Sequence, residues 1–225
     1  MTATILPIDA ATSVPSLRTL GTGALQAAPG LHAAAHRRSG ADAVVCPVAN
    51  PRSIAFETAS RIVPWSGQSI TSGRRYLMYF SADDDQTLSA LELWTGATAG
   101  VGVTAARLGL YTVAVNGDVT LAARTALDAT IGGVANTQFS RALDTTGGFP
   151  ASLQLVRAAR YAAAFYITAT TTTPTVQALS AGLGAFYGTA PRTAGFDGGG
   201  GTDLNASQTS ANITAFGQNF YLAGS

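Results

Sequence analysis

The chain has 225 residues, 47% of them hydrophobic and 11% charged, against about 25% charged in an ordinary soluble domain, so it has the material for a buried core and a bland surface. Its 13 basic and 12 acidic residues leave a net charge of +1, which supplies no field to gather nucleic acid or anionic lipid and removes both from the expected partners. A single cysteine, Cys46, excludes an internal disulfide framework and any multi-cysteine zinc site.

Residues 1–52 differ from the rest. Pro7, Pro15, Pro29, Pro47 and Pro51 are spread through Ala-, Ser- and Gly-rich sequence with no sustained period of two, a composition unable to bury a core of its own. One short helix is expected from Gly30 to Arg38, where LHAAAHRR runs up to Ser39 and Gly40. Cys46, beside Val44, Val45 and Val48, reads as a small buried hydrophobe. No basic region followed by an apolar run opens the chain, so no secretory signal is read there. No stretch of about 18 apolar residues exists to insert in a membrane. The expectation is an extended attachment and oligomerisation segment that lies on a neighbouring subunit.

Residues 53–225 change to short β-branched and aromatic runs punctuated by Gly, Asn, Asp and Pro, the pattern of an all-β domain. Strands are expected within Arg74–Ala82 and Thr87–Gly96, on either side of an acidic turn at Asp83, Asp84 and Asp85. Arg107–Thr125 contains Asn116-Gly117, which predicts a hairpin with a type I′ turn. On its first arm Leu108, Leu110, Thr112 and Ala114 are expected to share one face while Gly109, Tyr111, Val113 and Val115 share the other; both faces are largely apolar, so the strand is expected to be central. Further strands are read in Thr137–Leu143, Leu153–Ala169, Val176–Gly188 and Ile213–Gly224. The glycine-rich stretch Gly195–Gln208 reads as a mobile loop. About eight strands with no alternating helices predict an antiparallel β-sandwich, jelly-roll-like, preceded by the extended docking segment.

Residues able to carry chemistry are few. His32 and His36 are the only histidines; four apart, they would share a helix face at a spacing that can hold a transition metal, with Asp42 the nearest acid. Ala33, Ala34 and Ala35 stand between them, so the glutamate of a zinc-protease signature is missing, and packing or hydrogen bonding at a subunit interface is the competing reading. Asp83 and Asp85 could offer oxygen to a hard cation, or form a solvated turn. Neither Glu57 nor Glu92, the only glutamates, sits in a recognisable catalytic context. Trp94 and Tyr111 are candidates for stacking on sugar rings, although aromatic residues of a sandwich are commonly core. Gly198–Gly201 lacks the Lys-Ser/Thr of a phosphate loop. No cofactor and no enzymatic activity are expected.

The segment Leu31–Val45, LHAAAHRRSGADAVV, resembles the His-x-x-x-His-x-x-Gly-Gly-x-Asp element near the start of many minor tail and fibre proteins of tailed phages infecting actinobacteria. His32, His36, Gly40 and Asp42 match it, and Ser39 stands in place of its first glycine. SGRRYLMYFSADDDQTLSALELWTGATA, ARLGLYTVAVNGDVTLAART and LVRAARYAAAFYI, in that order, look like the same group. The resemblance implies a virion structural protein on the phage tail or capsid exterior. It implies a homo-oligomer, usually a trimer, attached to other virion proteins through its N-terminal segment, with the β-domain projecting toward host-surface glycan. His32 and His36 repeated about a symmetry axis would then form a polar or metal-binding ring. A carbohydrate-binding module for cell-wall glycan, and a capsid decoration or head-fibre protein, stay open as alternatives.

Overall fold

A computed structural model describes residues 54–58, 66–180, 193–198 and 201–225. The expected docking segment, its helix at Gly30–Arg38 and the residues His32, His36, Asp42 and Cys46 lie outside these residues, as does the second half of the strand expected at Val176–Gly188. The chain divides into two units between Ala49 and Asn50, and every described residue belongs to the second.

That unit is an antiparallel β-sandwich whose chain crosses repeatedly between two layers. β1 (Phe56–Glu57) and β2 (Ser66–Ser69) lie in one layer, and β3 (Arg75–Ser81) starts the other. β4 (Gln86–Leu88) leads to β5 (Ala90–Trp94) in the first layer, before the chain returns for the long hairpin of β6 (Val101–Val113) and β7 (Val119–Arg124). β8 (Gln138–Ala142) pairs with β5, β9 (Leu153–Leu155) with β4, and β10 (Arg160–Thr172) inserts between β6 and β3. β11 (Thr175–Ser180) rejoins the first layer. β12 (Ala194–Asp197), β13 (Ser207–Gln208) and β14 (Ile213–Ala215) extend the second, and β15 (Gln218–Phe220) and β16 (Leu222–Gly224) finish the first. The large sheet has the order β13-β7-β6-β10-β3-β12-β14. Facing it are β1-β16-β5-β8 and β15-β11-β2, joined through a bridge between Thr95 and Val176.

The main core fills the space between the layers. Tyr76 and Met78 of β3, Leu108 and Leu110 of β6, and Ala163, Phe165 and Ile167 of β10 meet Leu91, Leu93, Phe139, Val176, Ala178, Phe220 and Leu222. The rings of Tyr76 and Phe165 stack at 5.0 Å, and Phe220 stands edge-on to both. Ala162, Ala163 and Ala164 are good helix formers, yet β10 is the centre of the sheet. Burial on both faces decides against local propensity, because small side chains there leave room for rings on the neighbouring strands.

Two expectations are corrected. The Asn116-Gly117 hairpin forms, but its turn is not type I′. Ala114 N–H donates to Asp118 O and Gly117 N–H to Ala114 O, both at 2.9 Å, leaving a three-residue loop in which only Gly117 has positive φ, at 86°. This is a type I turn closed by a bulge. Asn116 keeps negative φ because its side chain bridges to Asp118, accepting from N–H at 3.1 Å and donating to Oδ2 at 2.7 Å. The second correction concerns Gly195–Gln208, expected to be a mobile loop. Ala194–Asp197 and Ser207–Gln208 are strands, and residues 201–206 lie against the outer face of the large sheet as a strap.

Candidate functional site

The polar residues that converge do so beneath that strap. Strand alternation sends Arg107, Gly109 and Tyr111 of β6 to the face turned away from the main core. β7 would send Arg124 the other way, since Val119 and Leu121 already occupy this outer face. A bulge corrects it: Leu110 pairs with Ala123 but Tyr111 with Leu121, so one residue is skipped and Arg124 emerges opposite Gly109 on the outer side. β3 adds Arg75, directly opposite Asp197 of β12.

The strap is tied at almost every residue. Tyr166 O–H donates to Gly201 O at 2.7 Å and Tyr111 O–H to Asn205 O at 2.8 Å. Arg75 Nε donates to Asp203 O at 2.5 Å, Arg107 pairs with the Asp203 carboxylate, and Arg124 approaches that carboxylate at 3.8 Å. Leu121 N–H donates to Ala206 O at 2.8 Å, and Asn205 Nδ2 donates to Asp197 Oδ2 at 3.1 Å. Beneath these bonds Leu204 plugs a second apolar cluster with Leu77, Tyr111, Leu121, Ala162, Ala164, Tyr166 and Ile213. Gly109 makes the plug fit: a Cβ there would come within 2.4 Å of Leu204 Cδ1.

The electrostatics are those of a lock. Arg75 meets both oxygens of Asp197, at 2.9 and 3.1 Å, a charge-assisted pair in a dry setting. Arg124 lies over the ring of Phe149 at 4.5 Å and donates to Thr146 O at 3.1 Å. Burial pushes the Tyr111 phenol well above its usual range, against the lowering influence of Arg75, so it remains a protonated donor to the strap. Three guanidinium groups, two carboxyl groups and two phenols thus converge on the strap and hold its backbone in place.

The other candidates are dispersed. Tyr111 is only 2% exposed, which corrects its reading as a glycan contact: the strap covers the face to which alternation assigns it. Trp94 is 36% exposed and stands edge-on to Tyr221 at 5.8 Å. It sits on β5 in the opposite layer, so Trp94 and Tyr111 form no shared platform. Asp83 and Asp85 are exposed; Asp85 Oδ1 accepts from Arg157 N–H at 2.7 Å, while the neighbouring Asp84 accepts from Asp85 N–H at 3.0 Å. Among the described residues no three His, Cys, Asp or Glu side chains gather as a metal site. Glu92 is buried and accepts from Gln138.

An open cleft of about 490 Å³ lies between Ala126–Asp128 and Arg141–Thr145. Partial burial pushes the Asp128 carboxyl up, but hydrogen bonds from Thr130 and Arg141 outweigh it and hold the group below its ordinary value. Hydrogen bonding from Thr146, backbone first, does the same for Asp144, helped by Arg124. From the sequence Arg74 and Arg75 are expected to contact carboxylates at interfaces or face water, and Arg75 instead pairs with Asp197 of its own chain. Arg107, Arg124, Asp197 and Asp203 escaped the sequence reading because each lies far along the chain from its partner, and an arginine inside the apolar run RLGLY was the available signal. In comparisons with family models and with curated proteins, nothing matches this chain.

Proposed function

We propose that this chain is a non-enzymatic structural protein of a tailed-phage virion, of the minor tail or fibre kind. In this reading residues 1–52 attach and oligomerise it on other virion proteins, and the sandwich projects outward toward the host surface. One observation carries the reading. The converging polar groups of the sandwich act on the protein itself: Arg75, Arg107, Arg124, Tyr111 and Tyr166 fasten the strap of residues 201–206 to the sheet. A domain built that way is made to hold shape. The order of sequence elements from Leu31 to Ile167 adds support, through its resemblance to tail and fibre proteins.

Light scattering on the full chain, and on a chain lacking residues 1–52, tests the reading. A trimer that becomes a soluble monomer on truncation is the expected result. Two monomers would shift the balance to a capsid decoration or head-fibre protein ordered by another virion component. The exposed Trp94 ring favours the second reading, a module for cell-wall glycan. A glycan array on which wild type binds and Trp94→Ala does not would support it, and no binding to any actinobacterial glycan would remove it.

A further inference from the structure

We propose that Asn116 is a site of spontaneous covalent modification, deamidation through a cyclic imide, and that Asp118 holds its rate in check. Of the six asparagines only Asn116 precedes glycine, the residue that least hinders attack by the following backbone nitrogen. Asn116 is exposed at the tip of the β6–β7 hairpin, next to Val115, whose side chain is fully in solvent. In the reaction Gly117 N attacks Asn116 Cγ, the N–Cγ bond forms, the Cγ–Nδ2 bond breaks, and the nitrogen's proton leaves with ammonia. Water then opens the ring to aspartate or isoaspartate.

The hairpin restrains both reacting groups. Gly117 N–H is engaged by Ala114 O at 2.9 Å. The amide is clamped on both sides, Nδ2 donating to Asp118 Oδ2 at 2.7 Å and Oδ1 accepting from Asp118 N–H at 3.1 Å. The same Asp118 accepts Ser210 N–H on its other oxygen at 2.7 Å, tying the hairpin to the 3-10 turn Ser210–Asn212. Conversion therefore reaches beyond the tip. It replaces a donor to Asp118 by a second carboxylate, and like charges at hydrogen-bond distance separate, carrying Asp118 away from Ser210.

The test is peptide mass spectrometry on the intact folded protein held at mildly alkaline pH, with an isoaspartate-specific methyltransferase assay. The expected result is amide-to-acid conversion with isoaspartate at Asn116, far ahead of Asn136, Asn205, Asn212 and Asn219, and several-fold faster in Asp118→Ala. Conversion in the urea-unfolded chain with none in the folded protein would overturn the proposal. An unchanged rate in Asp118→Ala would overturn the role given to Asp118. Asn116→Asp, which imitates one product, should speed hydrogen exchange at the Ser210 amide; unaltered exchange there would sink the coupling to the turn.

Discussion

The large sheet is covered on both faces, by different means. Its inner face meets a whole second layer, and the contact between Tyr76, Phe165, Leu108 and their partners Phe220, Leu91 and Leu222 is apolar and non-directional. Its outer face meets a strap of a few residues that contributes one sizeable apolar side chain, Leu204, and is otherwise secured by bonds to particular atoms. A broad apolar layer is held by volume. A thin one, mostly polar and outside any strand, loses backbone freedom on ordering with little apolar burial to offset it, and needs directed hydrogen bonds and ion pairs from its neighbours.

That contrast can be broken from either side. The largest effect is expected on the inner face: Phe220→Ala removes a ring touching Tyr76, Phe165 and Phe216 and should cost about 4 kcal/mol in urea unfolding. On the outer face Asp197→Ala strands the Arg75 guanidinium in a mostly buried setting and should cost about 3 kcal/mol. Leu204→Ala, which unplugs the second cluster while leaving the strap's bonds in place, should cost about 2 kcal/mol. Tyr166→Phe deletes only the bond to Gly201 O. It should cost about 1 kcal/mol and show first as faster hydrogen exchange in the strap, with exchange across the inner face unchanged.

The smallest effect is electrostatic and lies outside both faces. Asp128 and Asp144 are held below their ordinary value of 3.8. Their folded forms bind protons less readily than the unfolded chain, so their contribution is complete above pH 3.8 and fades as pH falls through the lowered values. Urea midpoints should drop over that acid range, and Asp128→Asn should flatten part of the decline.

The strands of the large sheet were legible as apolar runs in RRYLMYFS, RLGLYTV and RYAAAFYI, but with both faces apolar the sequence did not say which would meet the second layer. Alternation also grouped Gly109, Tyr111 and Val113, but could not say what would cover them. The strap was hidden for a physical reason: Gly201, Thr202 and Asp203 have no propensity to settle, and their order comes from Tyr166, Arg75 and Arg107, residues distant in sequence. Arg124 was hidden by the bulge, since a skipped residue reverses the parity that alternation counts. The hairpin was found and its turn mistaken, because Asn116-Gly117 suits both a two-residue and a three-residue loop and the side-chain bond to Asp118 settles which forms.

The position of β16, held between β1 and β5, sets a timetable. β5 can pair with β8 as soon as both are made, but its other edge waits for Leu222–Gly224, which must also receive Phe56 and Glu57 from the opposite end of the domain. During synthesis and early refolding that edge is open, and pairing so distant in sequence closes slowly. The span between the emergence of β5 and the arrival of β16 is when one chain is best able to pair with another.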